Sequence, residues 1–225
     1  MTDKSFLKEF FEKQMVPLWG TAGLTNGNSG LLPENLRSRF PSAVVYAFPL
    51  STAALDLLSG GPDLLYLHHY RQVNYLLDRV GILLSAVLQQ NGFSGLPVPA
   101  SQVIDWKEQK GLLSLRRLAA SAGLGWIGRN NLLVTPEFGS RMRLAAVLTD
   151  AAFPAVKPAP FGCGNCVRCL ARCPAGAIAK EPAGFNRPAC HKFIADICRR
   201  RNIGQSICGL CLCPAEDQLS NDGNA

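Results

Sequence analysis

Cys163-Gly-Asn-Cys166-Val-Arg-Cys169-Leu-Ala-Arg-Cys173-Pro174 is the stretch on which the reading of this chain turns. Three thiols at steps of three, a fourth set off by three residues and a proline that stops the run form the ligand spacing of a cubane iron–sulfur cluster. In two-cluster proteins with this run, the fourth cysteine serves the other cluster. A second set follows, Cys190 and then Cys208-Gly-Leu-Cys211-Leu-Cys213-Pro214. The expected pairing puts Cys163, Cys166, Cys169 and Cys213 on one [4Fe–4S] cluster and Cys173, Cys190, Cys208 and Cys211 on the other. One residue separates Cys211 from Cys213 where the usual motif has three, so the last ligand is expected to be strained or replaced. Cys198, the ninth cysteine, reads as a buried structural thiol.

Zinc is the competing metal, but it favours Cys-x2-Cys pairs with a longer spacer. Disulfides need an oxidising compartment, and Met1 to Lys13 is charged and amphipathic, without the apolar core of a secretory signal. No stretch reaches the roughly 18 apolar residues of a membrane span. A cytoplasmic protein with no membrane partner is the expectation.

At 225 residues and 48% hydrophobic content, the chain is large enough for one main domain and a smaller one. Domains are expected at 1–156 and 157–225. The formal charge of +7 is spread over both parts: 15 basic against 11 acidic residues before Cys163, and 8 against 5 after it. Two oxidised clusters with their thiolates would remove about four of those charges, because the cofactor's own charge belongs in the count. Arg199-Arg200-Arg201 then reads as a solvated helix end rather than a phosphate site.

Upstream, the spacing of Phe6, Leu7, Phe10, Phe11 and Met15 predicts a helix over 5–15. The segment 22–30 reads as a loop, and Ser42 to Phe48, between two prolines, as a buried strand. The longest helical pattern runs from Pro62 to Gln90, as one helix or as two broken near Gly81. His68 and His69 on it read as partly exposed histidines without a second ligand at helical spacing. Extended chain is expected at 95–101, a helix at 112–122, strands at 131–135 and 141–149, a proline-rich linker at 150–162, and a frayed tail from Glu216.

Gly123-Leu-Gly125-Trp-Ile-Gly128 matches the G-x-G-x-x-G dinucleotide fingerprint. That motif needs a strand before it and a helix after it. Here a helical pattern precedes and an apolar Leu132-Leu133-Val134 strand follows, so a nicotinamide site is not expected. The glycines read as ending a helix and letting the backbone pass close to a neighbour, with Trp126 packed beside it.

Taken whole, LAASAGLGWIGRNNLLVTPEFGSRMRLAAVLTD followed by CGNCVRCLARCPAGAI resembles the epoxyqueuosine reductase superfamily, most closely its short members that end just after the clusters. The resemblance covers about Pro97 to Pro214. It implies an α/β (α+β) fold: a nitroreductase-like sandwich that binds cobalamin, followed by a small ferredoxin-like domain with two [4Fe–4S] clusters. In such reductases the clusters feed a cobalamin whose low-valent cobalt drives reduction of an epoxide on a tRNA base; related reductive dehalogenases use the same cofactors. On this resemblance Gly123, Gly125, Trp126, Gly128 and Asn130 would line one edge of the macrocycle, with Ser101 and Gln102 opposite; a flavin, or no cofactor, is the alternative content of that pocket.

Two features depart from the family. The catalytic aspartate of its Val-Asp-Ser-like stretch is replaced by Val98-Pro99-Ala100-Ser101, and the nearest acid, Asp105, reads as a surface residue. The helical repeats that follow the clusters in long members are also missing here. No catalytic residue can be named. Three functions stand open: a corrinoid-dependent reductase fed by a donor such as a ferredoxin or flavodoxin; an electron carrier that docks a redox partner enzyme through Arg168, Arg172 and Arg199; and an enzyme of tRNA modification, disfavoured by the missing acid.

Overall fold

The computed structural model describes residues 2–25, 27–105, 107 and 110–215; the tail from Glu216 lies outside them. In chain order the elements are α1 (Ser5–Lys13), β1 (Leu18–Gly23), α2 (Glu34–Arg39), β2 (Ser42–Pro49), α3 (Thr52–Asp56), α4 (Leu64–Gln90), β3 (Gly95–Val98), α5 (Leu115–Ser121), β4 (Trp126–Ile127), β5 (Leu133–Val134), β6 (Met142–Thr149), α6 (Arg168–Ala171) and α7 (Arg187–Arg200). The fold is of the α/β class. No helix among the described residues is long and apolar enough to cross a membrane.

Packing divides the chain into two units that interleave along the sequence. One comprises Met1–Phe48, Val73–Gly125 and Arg143–Ala159; the other comprises Pro49–Gln72, Trp126–Met142 and Pro160–Ala225. The cysteine segments therefore pack with two pieces of chain that precede them by 20 residues or more.

The first unit is built on a four-stranded sheet in the order β1-β2-β6-β3, with β1–β2 and β3–β6 antiparallel. Residues Ser42 to Ala47 are all buried, as expected of a strand covered on both faces. α1 buries Leu7, Phe10 and Phe11, and Phe11 stacks on Trp19 of β1 with ring centroids 5.1 Å apart. Tyr46 of β2 donates its hydroxyl to the Leu77 carbonyl at 2.9 Å, and burial followed by the nearby Asp78 charge holds that phenol above its usual range. α4 runs unbroken through Gly81, where a side chain would press on the Tyr46 hydroxyl. Glycine here serves a close approach rather than a break.

In the second unit, β4 and β5 pair as a two-residue antiparallel hairpin, Trp126 opposite Val134 and Ile127 opposite Leu133. α7 begins at Asn186, whose side chain accepts from the Ala189 N–H at 3.0 Å, and carries Pro188 in its first turn. Ile197, Cys198, Ile203, Ile207, Leu210 and Leu212 form its buried core. The Cys198 thiol donates to the Ile207 carbonyl at 3.2 Å, which accounts for it as a structural residue. Arg201, although exposed, also has a structural part: its guanidinium donates to the carbonyls of Ser59, Gly61 and Pro62.

Candidate metal centre

The segment that begins as a glycine motif ends as a clasp on the cysteines. Gly123 sits at φ +77 just past α5, and the N–H groups of Gly123 and Leu124 donate to the Ala120 and Ala119 carbonyls. This is the Schellman arrangement that closes a helix. A helix before the motif and a two-residue hairpin after it leave no strand–turn–helix to receive a pyrophosphate, in keeping with the topology expected from the sequence.

From Trp126 onward the side chains face the cysteine loops. Trp126 donates its indole N–H to the Cys163 sulfur at 3.3 Å. Arg129, only 8% exposed, donates to the carbonyls of Gly164 and Cys166 at 2.8 Å each and of Cys163 at 3.3 Å. Its Nε donates to the Lys180 carbonyl, and the guanidinium lies over the Phe161 ring at 5.3 Å. One cation thus bonds three carbonyls of a loop that has almost no regular structure of its own, and ties it to a fourth at Lys180. Nothing in the spacing of the sequence singles out Arg129; the available sign was an arginine beside a glycine motif with no other role.

The second cysteine segment is held differently. Asn130 donates its amide to the Cys211 carbonyl at 2.9 Å and to the Ser140 hydroxyl at 3.1 Å. Ser140 pins Cys213 from both sides, accepting its N–H and donating its own N–H to the Cys213 carbonyl, each at 2.9 Å. Gly139 precedes it at φ +56, and any side chain there would collide with the Cys213 and Pro214 backbone. Cys211 lies in a turn closed by the Leu212 N–H to the Gly209 carbonyl at 3.1 Å. That turn and the Ser140 grip fix the backbone on either side of Leu212, and the Cys213 thiol donates to the Cys211 carbonyl at 3.6 Å.

All nine cysteines are free thiols. Hydrogen bonding and charge link them across the two sequence sets, with Cys169 also acting on Cys211 and Cys211 on Cys213. The hydrogen bond between Cys169 and Cys213 brings Cys169 down to about 7 and pushes Cys213 up; Arg129 adds to the lowering of Cys169, and Cys166 to the raising of Cys213. Burial pushes Cys211 up to about 12, with Cys208, Cys190 and Cys173 as its next perturbing neighbours. Burial likewise takes Cys190 to about 11, followed by Cys208 and Cys173, and raises Cys208. Cys163 is tied to the first group through Trp126 and the Arg129 loop. Among the described residues, no three His, Cys, Asp or Glu side chains converge on a point as a single-ion site requires.

The residues expected around a macrocycle are divided. Ser101, Gln102, Gly123 and Gly125 belong to the first unit; Trp126, Gly128 and Asn130 belong to the second. Gln102 accepts from the Leu112 N–H at 2.6 Å and donates to the Leu113 carbonyl, while Trp126 and Asn130 are engaged with the cysteine loops. Gly128 closes the β4–β5 hairpin through its N–H to the Leu132 carbonyl, and Ser101 is exposed. Within residues 98–101, the buried Ala100 donates its N–H to the Asp78 carboxylate at 2.8 Å. His69 accepts from the Ser51 N–H at 2.8 Å and so stands at the start of α3 as a structural group.

No protein-family model matches the chain. The curated epoxyqueuosine reductase of Bacillus cereus is 44% identical over 68 residues, 30% of this chain and 18% of that protein. The Synechococcus enzyme of that name is 47% identical over 75 residues, 33% and 23% of the two chains, and the Escherichia coli one 40% over 79, 35% and 21%. The matched stretches span about a fifth of the length of these relatives. Over nearly the whole chain the fold is similar to that of the epoxyqueuosine reductase of Streptococcus thermophilus, with a TM-score of 0.62 at 18% identity, covering 95% of this chain and 66% of that one. It is also similar to a catabolic reductive dehalogenase, with a TM-score of 0.72 at 18% identity, covering 92% and 31%.

Proposed function

The chain belongs to the epoxyqueuosine reductase superfamily, and from that premise we propose that it is a two-cluster redox protein. The clusters belong to residues 157–225 together with Pro49–Gln72 and Trp126–Met142, which pack with them in one unit although a boundary at 156/157 was expected, and the rest of 1–156 is the cobalamin-binding α/β part. Cys163, Cys166, Cys169 and Cys213 hold one [4Fe–4S] cluster, and Cys173, Cys190, Cys208 and Cys211 the other. The observation that carries this reading is the crossed grouping. Cys169 and Cys213 are each other's strongest perturbing neighbour, with Cys211 acting on Cys213 more weakly, and Cys173 acts on Cys190, Cys208 and Cys211. Such crossing is how the two-cluster cysteine run distributes its ligands.

The donor set fits the group. The thiols of Cys190, Cys208 and Cys211 are costly to ionise where burial and their neighbours place them, and iron removes that cost by binding the thiolate. Thiolates spread over four irons, rather than closing on one ion, also agree with the lack of a single-ion site among the described residues. Bound clusters would pass one electron at a time; the protein's part is to hold them, shield them and tune their potentials.

The acceptor of those electrons is a corrinoid in this reading, by way of Ser101, Gln102, Gly123, Gly125, Trp126, Gly128 and Asn130. The side chains of Trp126, Asn130 and Gln102 are already engaged, however, and this favours a second reading: an electron carrier that passes electrons to a partner enzyme. Reduction of epoxyqueuosine in tRNA is disfavoured, since Val98-Pro99-Ala100-Ser101 carries no acid and loss of a positioned proton donor costs roughly 10²–10⁴-fold in rate. Anaerobic reconstitution followed by hydroxocobalamin, removal of the excess and EPR separates these. Retained cobalt with a base-off Co(II) signal supports the corrinoid acceptor. Clusters without retained cobalt leave the carrier.

A further inference from the structure

The two cysteine groups do not share the same surroundings. The first group is faced by a cation and an indole donor. Arg129 is buried inside the Cys163–Cys166 loop with its guanidinium on the carbonyls of Cys163, Gly164 and Cys166, and Trp126 directs its N–H at the Cys163 sulfur. The second group is held by a neutral donor instead, the Asn130 amide on the Cys211 carbonyl at 2.9 Å.

Reduction adds one electron to a cluster, supplied here by a one-electron donor of the ferredoxin or flavodoxin class, and no bond forms or breaks. The added negative charge is stabilised by a nearby cation and by hydrogen bonds to the ligand sulfurs, both of which raise the potential. A buried guanidinium is the stronger of the two, because it stays charged at any accessible pH and is little screened.

We propose that Arg129 and Trp126 hold the cluster of Cys163, Cys166, Cys169 and Cys213 at a higher reduction potential than the other, so that an electron entering the chain comes to rest there. The proposal rests on the two-cluster reading and makes Arg129 and Trp126 positioning residues that tune a cofactor. It gives the relay a direction, from the Cys190–Cys208–Cys211 side to the Cys163 side.

The test is an EPR-monitored redox titration of the anaerobically reconstituted protein. Wild type should show two midpoints, and C208A, which keeps the first cluster, should retain the higher one. W126F removes a single N–H and should lower only that midpoint; R129M should lower it further, and R129K should restore most of the shift. If R129M fails to assemble the cluster, W126F still decides. The proposal is overturned if C208A retains the lower midpoint, or if W126F leaves both midpoints unchanged or moves them equally. An iron content of about four per wild-type chain would overturn the two-cluster reading itself, a result distinct from a wrong order of potentials.

Discussion

The two cysteine segments of the second unit are kept in place by different means. The first, Cys163 to Cys173, has one short helix, α6, and a few turn bonds of its own, and relies on Arg129 for bonds to the carbonyls of Cys163, Gly164 and Cys166. The second, Cys190 to Cys213, is built on the fourteen-residue α7 and an apolar core, and is held from outside by Asn130 at Cys211, Ser140 at Cys213 and the bonds of Arg201 to Ser59, Gly61 and Pro62. A loop with orphaned carbonyls is only as ordered as the group that satisfies them. Removal of one arginine should therefore disturb the first segment far more than removal of one hydrogen bond disturbs the second.

The largest effects are expected from the thiols, where they test whether the two segments divide their ligands crosswise. C213A should lose the same EPR signal as C163A, and C211A should lose the other. The double variant C163A/C213A should lose no more iron than either single one, whereas C163A/C211A should lose nearly all of it. Loss of the same signal in C211A and C213A would break the crossed pairing.

Next comes the loop itself. R129M leaves four carbonyls without their cation and should destabilise the second unit by about 3 kcal/mol, at the upper end for hydrogen bonds to a charged group. Chemical unfolding measures this. S140A removes the hydroxyl that accepts from Cys213 and Asn130; it should cost about 1–2 kcal/mol, with R129M the more damaging of the two. Equal costs would contradict the contrast between the segments.

The smallest effect lies outside both segments. Burial, then the neighbouring His68, holds His69 below the ordinary imidazole value of 6.5, and its neutral ring accepts the Ser51 N–H. A group whose folded value is depressed contributes stability that is present above its unfolded value and is lost as pH falls through the folded one. The thermal midpoint should thus decline slightly as pH falls from 6.5 toward 5, and H69Q should remove that part of the decline. An unchanged pH profile in H69Q would show that the bond contributes nothing.

How much of this was legible in the sequence depends on where the controlling interactions lie. The two cysteine runs could be read as candidate cluster ligands because ligand spacing is a local property of a short run. The buried Ser42–Pro49 strand and the long α4 were likewise visible, since each carries its own apolar pattern. β1 was missed because Gly20 and Gly23 interrupt its pattern, and α7 because its apolar residues are few and it opens on Arg-Pro. The clasp of Arg129, Asn130 and Ser140 was hidden for another reason. Its partners lie 34 to 81 residues away and are backbone atoms, which leave no side-chain signature in the cysteine loops. Trp126 and Asn130 were placed on a macrocycle edge through resemblance, whereas their visible contacts are with the cysteines.

The central claim is two clusters on crossed ligand sets, and iron and sulfide analysis with EPR of the anaerobically reconstituted protein tests it most directly. The account predicts about eight irons and eight sulfides per chain and, on reduction, the interacting signals of two four-iron clusters. About four irons with a single signal, or tightly bound zinc in place of iron and sulfide, would contradict it.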